Sequence, residues 1–505
     1  MDVETLKSTS NQARGLALYA IEFLSNQMEI DKCVYDRTEM FLRDSVACAV
    51  SAISEKANAP TVLRREAKQY LLSRELGGVP CIGSIECVHP EKAIVADSSA
   101  AREWDANGTN FGFNPQRNAI RGEFGHNDFY PVALAAGQIA KADGLQVIKA
   151  MICLDEIRGR LAEVFSLKDY KIDHVVHGAI ASAAVYGAML GATVDQIESA
   201  IGMTVAHYTP FRAIRAGHQL SDSKGASAAI STEVAVLSMK RAINGFIGPA
   251  DIFRNPQAIF CLFEPPSQAD SSPFDLHLAT GGDDFSIMGM HFKIGLYEHQ
   301  SAGAIHGLIK ILQEHPAVVA NAEQIRSIRI KIYEPAFSII GDPAKRNPTT
   351  RQSADHSMVY IVATLLRKAF QLKRYDWESL MLLPQDYSEQ SLHHPATRKF
   401  MDQIEFVHGG KEFDEKYPDG IPTTVELTLE SGERFESGLV MYPEGHARNT
   451  SGNLRRLLDT KFDRLTESAV DDSHELSQRF SNFPEKNAQQ IQDIFDFKIV
   501  SNPGQ

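Results

Sequence analysis

The sequence lacks most of the signatures that would assign it quickly. Its six cysteines, Cys33, Cys48, Cys81, Cys87, Cys153 and Cys261, include no CxxC pair and no zinc or iron–sulfur spacing. They read as small buried hydrophobes of a reducing compartment. No HxxxH, HExxH or Asp/Asn ladder offers a metal a ligand set. No GxGxxG follows a strand-like run and no P-loop occurs, so nucleotide phosphates have no cradle. GxSxG is missing too, which excludes the nucleophile elbow of an α/β-hydrolase. There is no lysine- or arginine-rich run, and the net charge is −13. Nucleic acid and anionic membranes are therefore poor partners. No uncharged apolar run is long enough to span a bilayer. The start, MDVETLKSTS, has neither an apolar signal core nor a basic amphipathic face, so a cytoplasmic protein is expected. No internal repeat or low-complexity tract breaks the chain.

What is present is ordinary globular material, with 505 residues, 43% of them hydrophobic and 23% charged. That length makes two lobes a fair expectation. Helical periodicity marks 11–29, 34–54, 60–75 and 90–101, then 131–142, 143–163, 174–190, 194–206 and 223–244. The run HVVHGAIASAAVYGAML is so rich in Gly and Ala that neighbouring helices can approach closely. Gly191 fits a helix C-cap, and Thr193 with Gln196 fits a capping box. VPCIGSIECVH, at 79–89, is strand-like. After Pro249 the texture changes, with a looping connection at 254–284 and mixed elements beyond. These are a helix near 300–313, a strand at 325–333, a helix at 353–371 and a hairpin at 423–441 turning at Ser431 and Gly432. Helical texture returns at 449–468 and 472–496. The expected architecture is mainly α: a large all-helical domain from both chain ends, 1–282 and 444–505, with a smaller α+β lid inserted at 283–443. The junction of two lobes is a favoured place for a ligand.

The chain is organised around Glu103 to Tyr130, a polar stretch between apolar helical segments. It gathers Asp105, Thr109, Arg121, Glu123, His126 and Asp128, and its glycines predict loop. Three other clusters accompany it. His174 and His177 start the Ala-rich helix and share roughly one face. Arg212, Arg215, His218 and Lys224 lie in a Gly-containing gap between helices. Lys293 stands with Tyr297, Glu298 and His299 at the entry to the second lobe, followed by Tyr333. Taken singly, Lys224 is an ordinary surface lysine and the arginines a solvated face. Together, cations beside acid/base groups suit cofactor-independent proton chemistry on a small polycarboxylate.

At Trp104-Asp105, Thr109 and Glu123-Phe124-Gly125-His126 with Asp128, the sequence resembles the MmgE/PrpD family, in particular its 2-methylcitrate dehydratase branch. The likeness continues at IDHVVHGAIASAA, FRAIRAGHQLSDSKGASAA, FKIGLYEHQSA, IRIKIYEPAFSII and NPTTRQSADHSMVYIVA. It implies the helical domain with an inserted lid, a homodimer, and an active site at the lobe junction with no metal or organic cofactor. It also implies a small di- or tricarboxylate substrate. The matching site residues are Asp105, His126, His174, Lys224 and Lys293 for catalysis, and Thr109, Arg212, Arg215 and Tyr333 for substrate binding. The activities implied are dehydration of 2-methylcitrate, decarboxylation of cis-aconitate or epimerisation of a related acid. A catalytically silent binding protein is the reading from another class.

Overall fold

The computed structural model describes residues 3–501, apart from 26–27, 116–118, 120–121, 216–219, 317, 319–321, 341–344 and 451. It is mainly helical. Helices α1 (Gln12–Ser25), α2 (Lys32–Ser54), α3 (Asn58–Ala67), α4 (Pro90–Arg102), α5 (Tyr130–Ala140), α6 (Gly144–Val164), α7 (Val175–Met189), α8 (Val194–His207) and α9 (Asp222–Ile243) form one packed body. Helix α7 is its axis, touching α1, α5, α6, α8 and α9. Its residues Val175–Gly187 are all buried, so it has no polar face to present. The small residues there are required by space: a Cβ at Gly178 would lie 2.1 Å from the Phe129 ring. The expected capping box at Thr193 is present, and Gly191 takes φ +71° after α7.

Several expectations are corrected. The helical domain also carries short strands, those in the expected strand-like run at 79–89 among them. Short antiparallel pairs join β1 (Val3–Leu6) to β6 (Leu276–Ala279), β2 (Val79–Pro80) to β3 (Cys87–Val88), and β4 (Thr109–Phe111) to β5 (Glu123–His126). Helix α3 ends at Ala67 rather than near 75, because Tyr70 and Leu72 give their backbone groups to His89 and Cys87 beside β3. The last helical stretch is broken into Ser473–Phe480, a 3-10 turn at Phe483–Glu485 and Ala488–Gln492. Pro484 supplies no N–H there, and Asn482 is left-handed at φ 49°.

The second sheet has four strands in the order β10 (Arg434–Glu436), β9 (Thr423–Leu429), β7 (Ile325–Ile332), β8 (Ile404–His408). β7 pairs antiparallel with β9 and parallel with β8. Its alternation sorts the side chains, with Ile325, Ile328, Ile330 and Ile332 inside and Arg326, Arg329 and Lys331 exposed. The parallel pair requires a crossover, and residues 333–403 provide it, including the helices Arg351–Ala354 and Met358–Leu372. The chain then returns, and helix Leu454–Thr466 packs on α2.

Candidate active site

The polar stretch at 103–130 is not a surface loop. Trp104 to Thr109 are all buried, because β4 and β5 pair within it and set Thr109 opposite His126. Thr109 also exchanges backbone hydrogen bonds of 2.8 Å with His291, which ties this ribbon to the segment carrying Lys293. Gly108 is needed at the approach, since a Cβ there would meet Asn127 Oδ1 at 2.0 Å.

Asp105 is the hub. It lies just past the end of α4 in a left-handed conformation, φ 51°, a region Asp tolerates at modest cost. One carboxylate oxygen, Oδ1, pairs with the Arg102 guanidinium and lies 2.6 Å from Lys293 Nζ. The other, Oδ2, lies 3.2 Å from Lys224 Nζ and 3.0 Å from His356 Nε2. Burial alone would raise its pKa; the cations Arg102, Lys224 and Lys293, with His356, outweigh it and hold the carboxyl well below the usual range. Asp105 is therefore a fixed anion rather than a proton donor. Lys293 also donates to the Asp105 carbonyl at 2.5 Å. Burial lowers its pKa to about 8, with Asp105 opposing the shift. Burial likewise lowers Lys224, against the pull of Asp105 and Asp355. Lys224 is no surface lysine: at 4% exposure it sits in the first turn of α9, which packs on α4.

The two histidines differ. His126 sets Nδ1 3.0 Å from the Gly108 carbonyl and Nε2 2.9 Å from Arg102 Nη2. A carbonyl only accepts and a guanidinium only donates, so the ring is neutral with its proton on Nδ1. Burial, then Arg102 and Lys293, push its pKa well below the ordinary value. With its lone pair aimed at Arg102, His126 is poorly set to take a proton. Arg158 fixes its backbone carbonyl at 2.6 Å. His174 caps α7, lines the same cavity, and has Nδ1 3.5 Å from Asp173 Oδ1. The two rings are 6.0 Å apart. His177, though on the same helix, points elsewhere and bonds the Phe165 carbonyl at 2.9 Å.

These groups line a cavity of about 100 Å³. Asp105, Thr109, His126, His174, Arg212, Lys224 and Lys293 are all brought to it. Tyr333 is not among its lining; it is fully buried and stacks on Tyr417 with ring centroids 4.6 Å apart. The Arg215 side chain, Arg121 and His218 lie outside the described residues. The sequence reading missed Arg102, Asp355 and His356. Arg102 stands one helical turn before Asp105, and the Asp-His pair lies within the quoted RQSADHSMVY segment. His356 pairs with Asp355 through Nδ1, and Arg351 bonds both Asp355 and Glu103. Among the described lining residues, Arg102, Arg212, Lys224, Lys293 and Lys345 are basic, against only Asp105 and Glu298 acidic. One wall is apolar, built from Leu220, Ile339 and Ile340.

The donor atoms of Asp105, Asp355 and His356 lie within 4.8 Å of one another, close enough to share a cation. Lys224 Nζ already stands among them, 3.2, 3.5 and 3.1 Å from Asp105 Oδ2, Asp355 Oδ1 and His356 Nδ1. The ammonium thus fills the place a metal would take. Among the described residues no helix is long and apolar enough to cross a membrane.

Known proteins resemble the chain over most of its length. Residues 16–271 match the MmgE/PrpD N-terminal domain and residues 297–482 the MmgE/PrpD C-terminal domain. The chain is 24% identical over 460 residues to 2-methylcitrate dehydratase of Escherichia coli strain K12, covering 87% of each. It is 22% identical over 503 residues to the alkylcitrate dehydratase phiI of a fungal species, covering 93% of this chain and 90% of that one. With the mitochondrial 2-methylcitrate dehydratase of Yarrowia lipolytica the identity is 26% over 328 residues, 63% of this chain and 58% of the relative. The matched domains take in well over half of the sequence, and the chain belongs to the MmgE/PrpD family.

Proposed function

We propose that this chain is a hydro-lyase that removes water from a citrate-type tricarboxylate bearing an alkyl group, with 2-methylcitrate the first candidate. The observation that carries this reading is the gathering of Arg102, Arg212, Lys224, Lys293 and Lys345 with His174 and Glu298 around one small cavity. Such a set of cations beside proton-transfer groups suits a compact multi-anion. The wall of Leu220, Ile339 and Ile340 suits an alkyl substituent, and relatives named for 2-methylcitrate and alkylcitrate dehydration agree.

In dehydration, a base removes the proton from the carbon beside one carboxylate. The electron pair forms the double bond, and the hydroxyl on the next carbon leaves with a proton as water. We assign the base to His174, whose Nδ1 lies 3.5 Å from Asp173 Oδ1, near enough for the carboxylate to stabilise the imidazolium once the proton is taken. Glu298 is assigned the donor role: it lines the cavity, and burial pushes its pKa up, so it can bring a proton to the leaving hydroxyl. Charge building on the neighbouring carboxylate is met by Lys224, Lys293 and Arg212. Thr109 places a second carboxylate. Asp105 and His126 hold the cations and the ribbon in register, and Arg215 keeps its expected place in substrate binding from the family likeness. The same reading divides the chain into the helical domain at 1–282 and 444–505 and the lid at 283–443, in a cytoplasmic homodimer.

The test is product analysis by NMR after incubation with 2-methylcitrate, citrate and cis-aconitate, with and without a chelator. A new olefinic product from 2-methylcitrate, formed equally in both, is expected. Loss of carbon dioxide from cis-aconitate alone would move the chain to decarboxylation. Tight binding without turnover would make it a binding protein.

A further inference from the structure

Lys461 is the most deeply buried lysine near the site, yet it does not line the cavity. It comes from the C-terminal helix Leu454–Thr466, more than 160 residues after Lys293 in the chain. Its Nζ lies 2.5 Å from the Ala106 carbonyl oxygen, 2.9 Å from the Lys293 carbonyl oxygen and 2.6 Å from Asp44 Oδ1 on α2. An ammonium has three donors, and all three are used. Its two carbonyl partners are not arbitrary. Ala106 directly follows Asp105, and Lys293 bears the ammonium that bonds Asp105. The contacts close a ring: Lys461 holds the backbones of Ala106 and Lys293, while Lys293 Nζ reaches back to the Asp105 carbonyl and carboxylate at 2.5 and 2.6 Å.

We propose that Lys461 is a positioning residue for the reaction, fixing the spacing between the Asp105 and Lys293 backbones from beneath the cavity. Charge-assisted bonds from a buried ammonium to carbonyls are short and directional. Asp44 is the counter-ion that lets the ammonium stay buried, and Asp44 alone touches neither backbone of the site. The effect is geometric: a displacement of about 1 Å at a reacting group costs on the order of 10²-fold in rate.

The proposal rests on the dehydratase reading, and its test separates the two. The variant K461M/D44N removes both charges, so no orphan ion is left inside. It is expected to melt cooperatively, to bind the inert analogue tricarballylate within about threefold of wild type, and to lose roughly 10²-fold in kcat with little change in KM. D44N alone leaves the Lys461 nitrogen in place, which even as a neutral amine has two N–H donors for the two carbonyls, and the folded variant is expected to stay within about threefold of wild-type kcat. Wild-type kcat in the double variant, or an equal loss in D44N, overturns the proposal. If K461M/D44N does not fold, K461Q/D44N fills the same space with an amide. Its kcat is expected at least about tenfold below D44N, and equality overturns the assignment. If wild-type protein turns over no citrate-type acid, the functional reading fails, and the crystal structure of a folded double variant decides positioning. Asp105 and Lys293 shifted apart by about 1 Å support it; unmoved backbones overturn it.

Discussion

Two cavities draw on the β4–β5 ribbon, one lined by Thr109 and His126 and the other by Asn110 and Phe111, and the proposed chemistry belongs to the smaller, which holds Thr109 and His126. The larger, about 650 Å³, is lined by Arg160, Glu163, Asp284, His291, Asp419, His446 and Arg448 among others. Its cations are already matched. Arg160 pairs with Glu156 and Glu163 at 2.7 Å and with Asp284 at 3.3 Å, and Arg448 pairs with Asp419. Among the described residues, the smaller cavity brings five basic side chains to its lining against two acids, and its central acid is held ionised by Arg102, Lys224 and Lys293. Volume therefore says little about where an anion binds. The sign of the charge that lines a cavity is the better guide.

The comparison can be broken by substitution on each side. The largest effect is expected from K293M, which removes a cation from both substrate and Asp105. It should cut kcat/KM on the turned-over acid by about 10³-fold or more, whereas R448Q in the larger cavity should stay within about threefold. Comparable losses from both variants would erase the distinction. H174A should lower kcat by about 10²-fold or more, with D173N milder, and steady-state kinetics on both checks the order. Should H126A cost far more than H174A, the base assignment moves to His126.

The pH profile sharpens the same contrast. Lys293 is charged below about 8, and in the proposed mechanism that charge meets the substrate. As pH rises through that value, kcat/KM should fall, and the limb should vanish in K293R, whose guanidinium stays protonated. The stability effect has the opposite sign. Between about 8 and the ordinary lysine value of 10.5 the unfolded chain holds more protons than the folded one, so this residue's contribution to stability rises with pH. Thermal melts across that window, compared between wild type and K293M, report it. The smallest catalytic effect is expected from R160M. Breaking its fully buried pair with Glu156 should cost about 3–5 kcal/mol in stability, read from denaturant melts, while KM stays near wild type.

Much of this arrangement was legible in the chain. The polar residues between Glu103 and Tyr130 stood out because Gly and charge interrupt apolar periodicity, a local signal. The capping residues Thr193 and Gln196 were equally local. What escaped was set by distant pairing. Burial of the 103–130 stretch depends on a hydrogen-bonded ribbon that lies against His291, and no local pattern announces it. Lys224 read as a surface residue because its burial comes from α9 packing on α4. His356 reaches Asp105 only after a crossover has brought residues from 250 positions later back onto the site. Tyr333, expected in substrate binding, instead stacks on Tyr417; it follows the end of β7 and is off that strand's inward set, so no strand pattern announces its buried ring.

The most direct test of the central claim is a crystal structure with tricarballylate, a tricarboxylate with no hydroxyl to lose. Its carboxylates are expected within hydrogen-bonding distance of Lys224, Lys293 and Arg212, with Asp105 unmoved. Tricarballylate seated in the larger cavity beside Arg160 and Arg448, with the Asp105 cavity empty, would contradict the account.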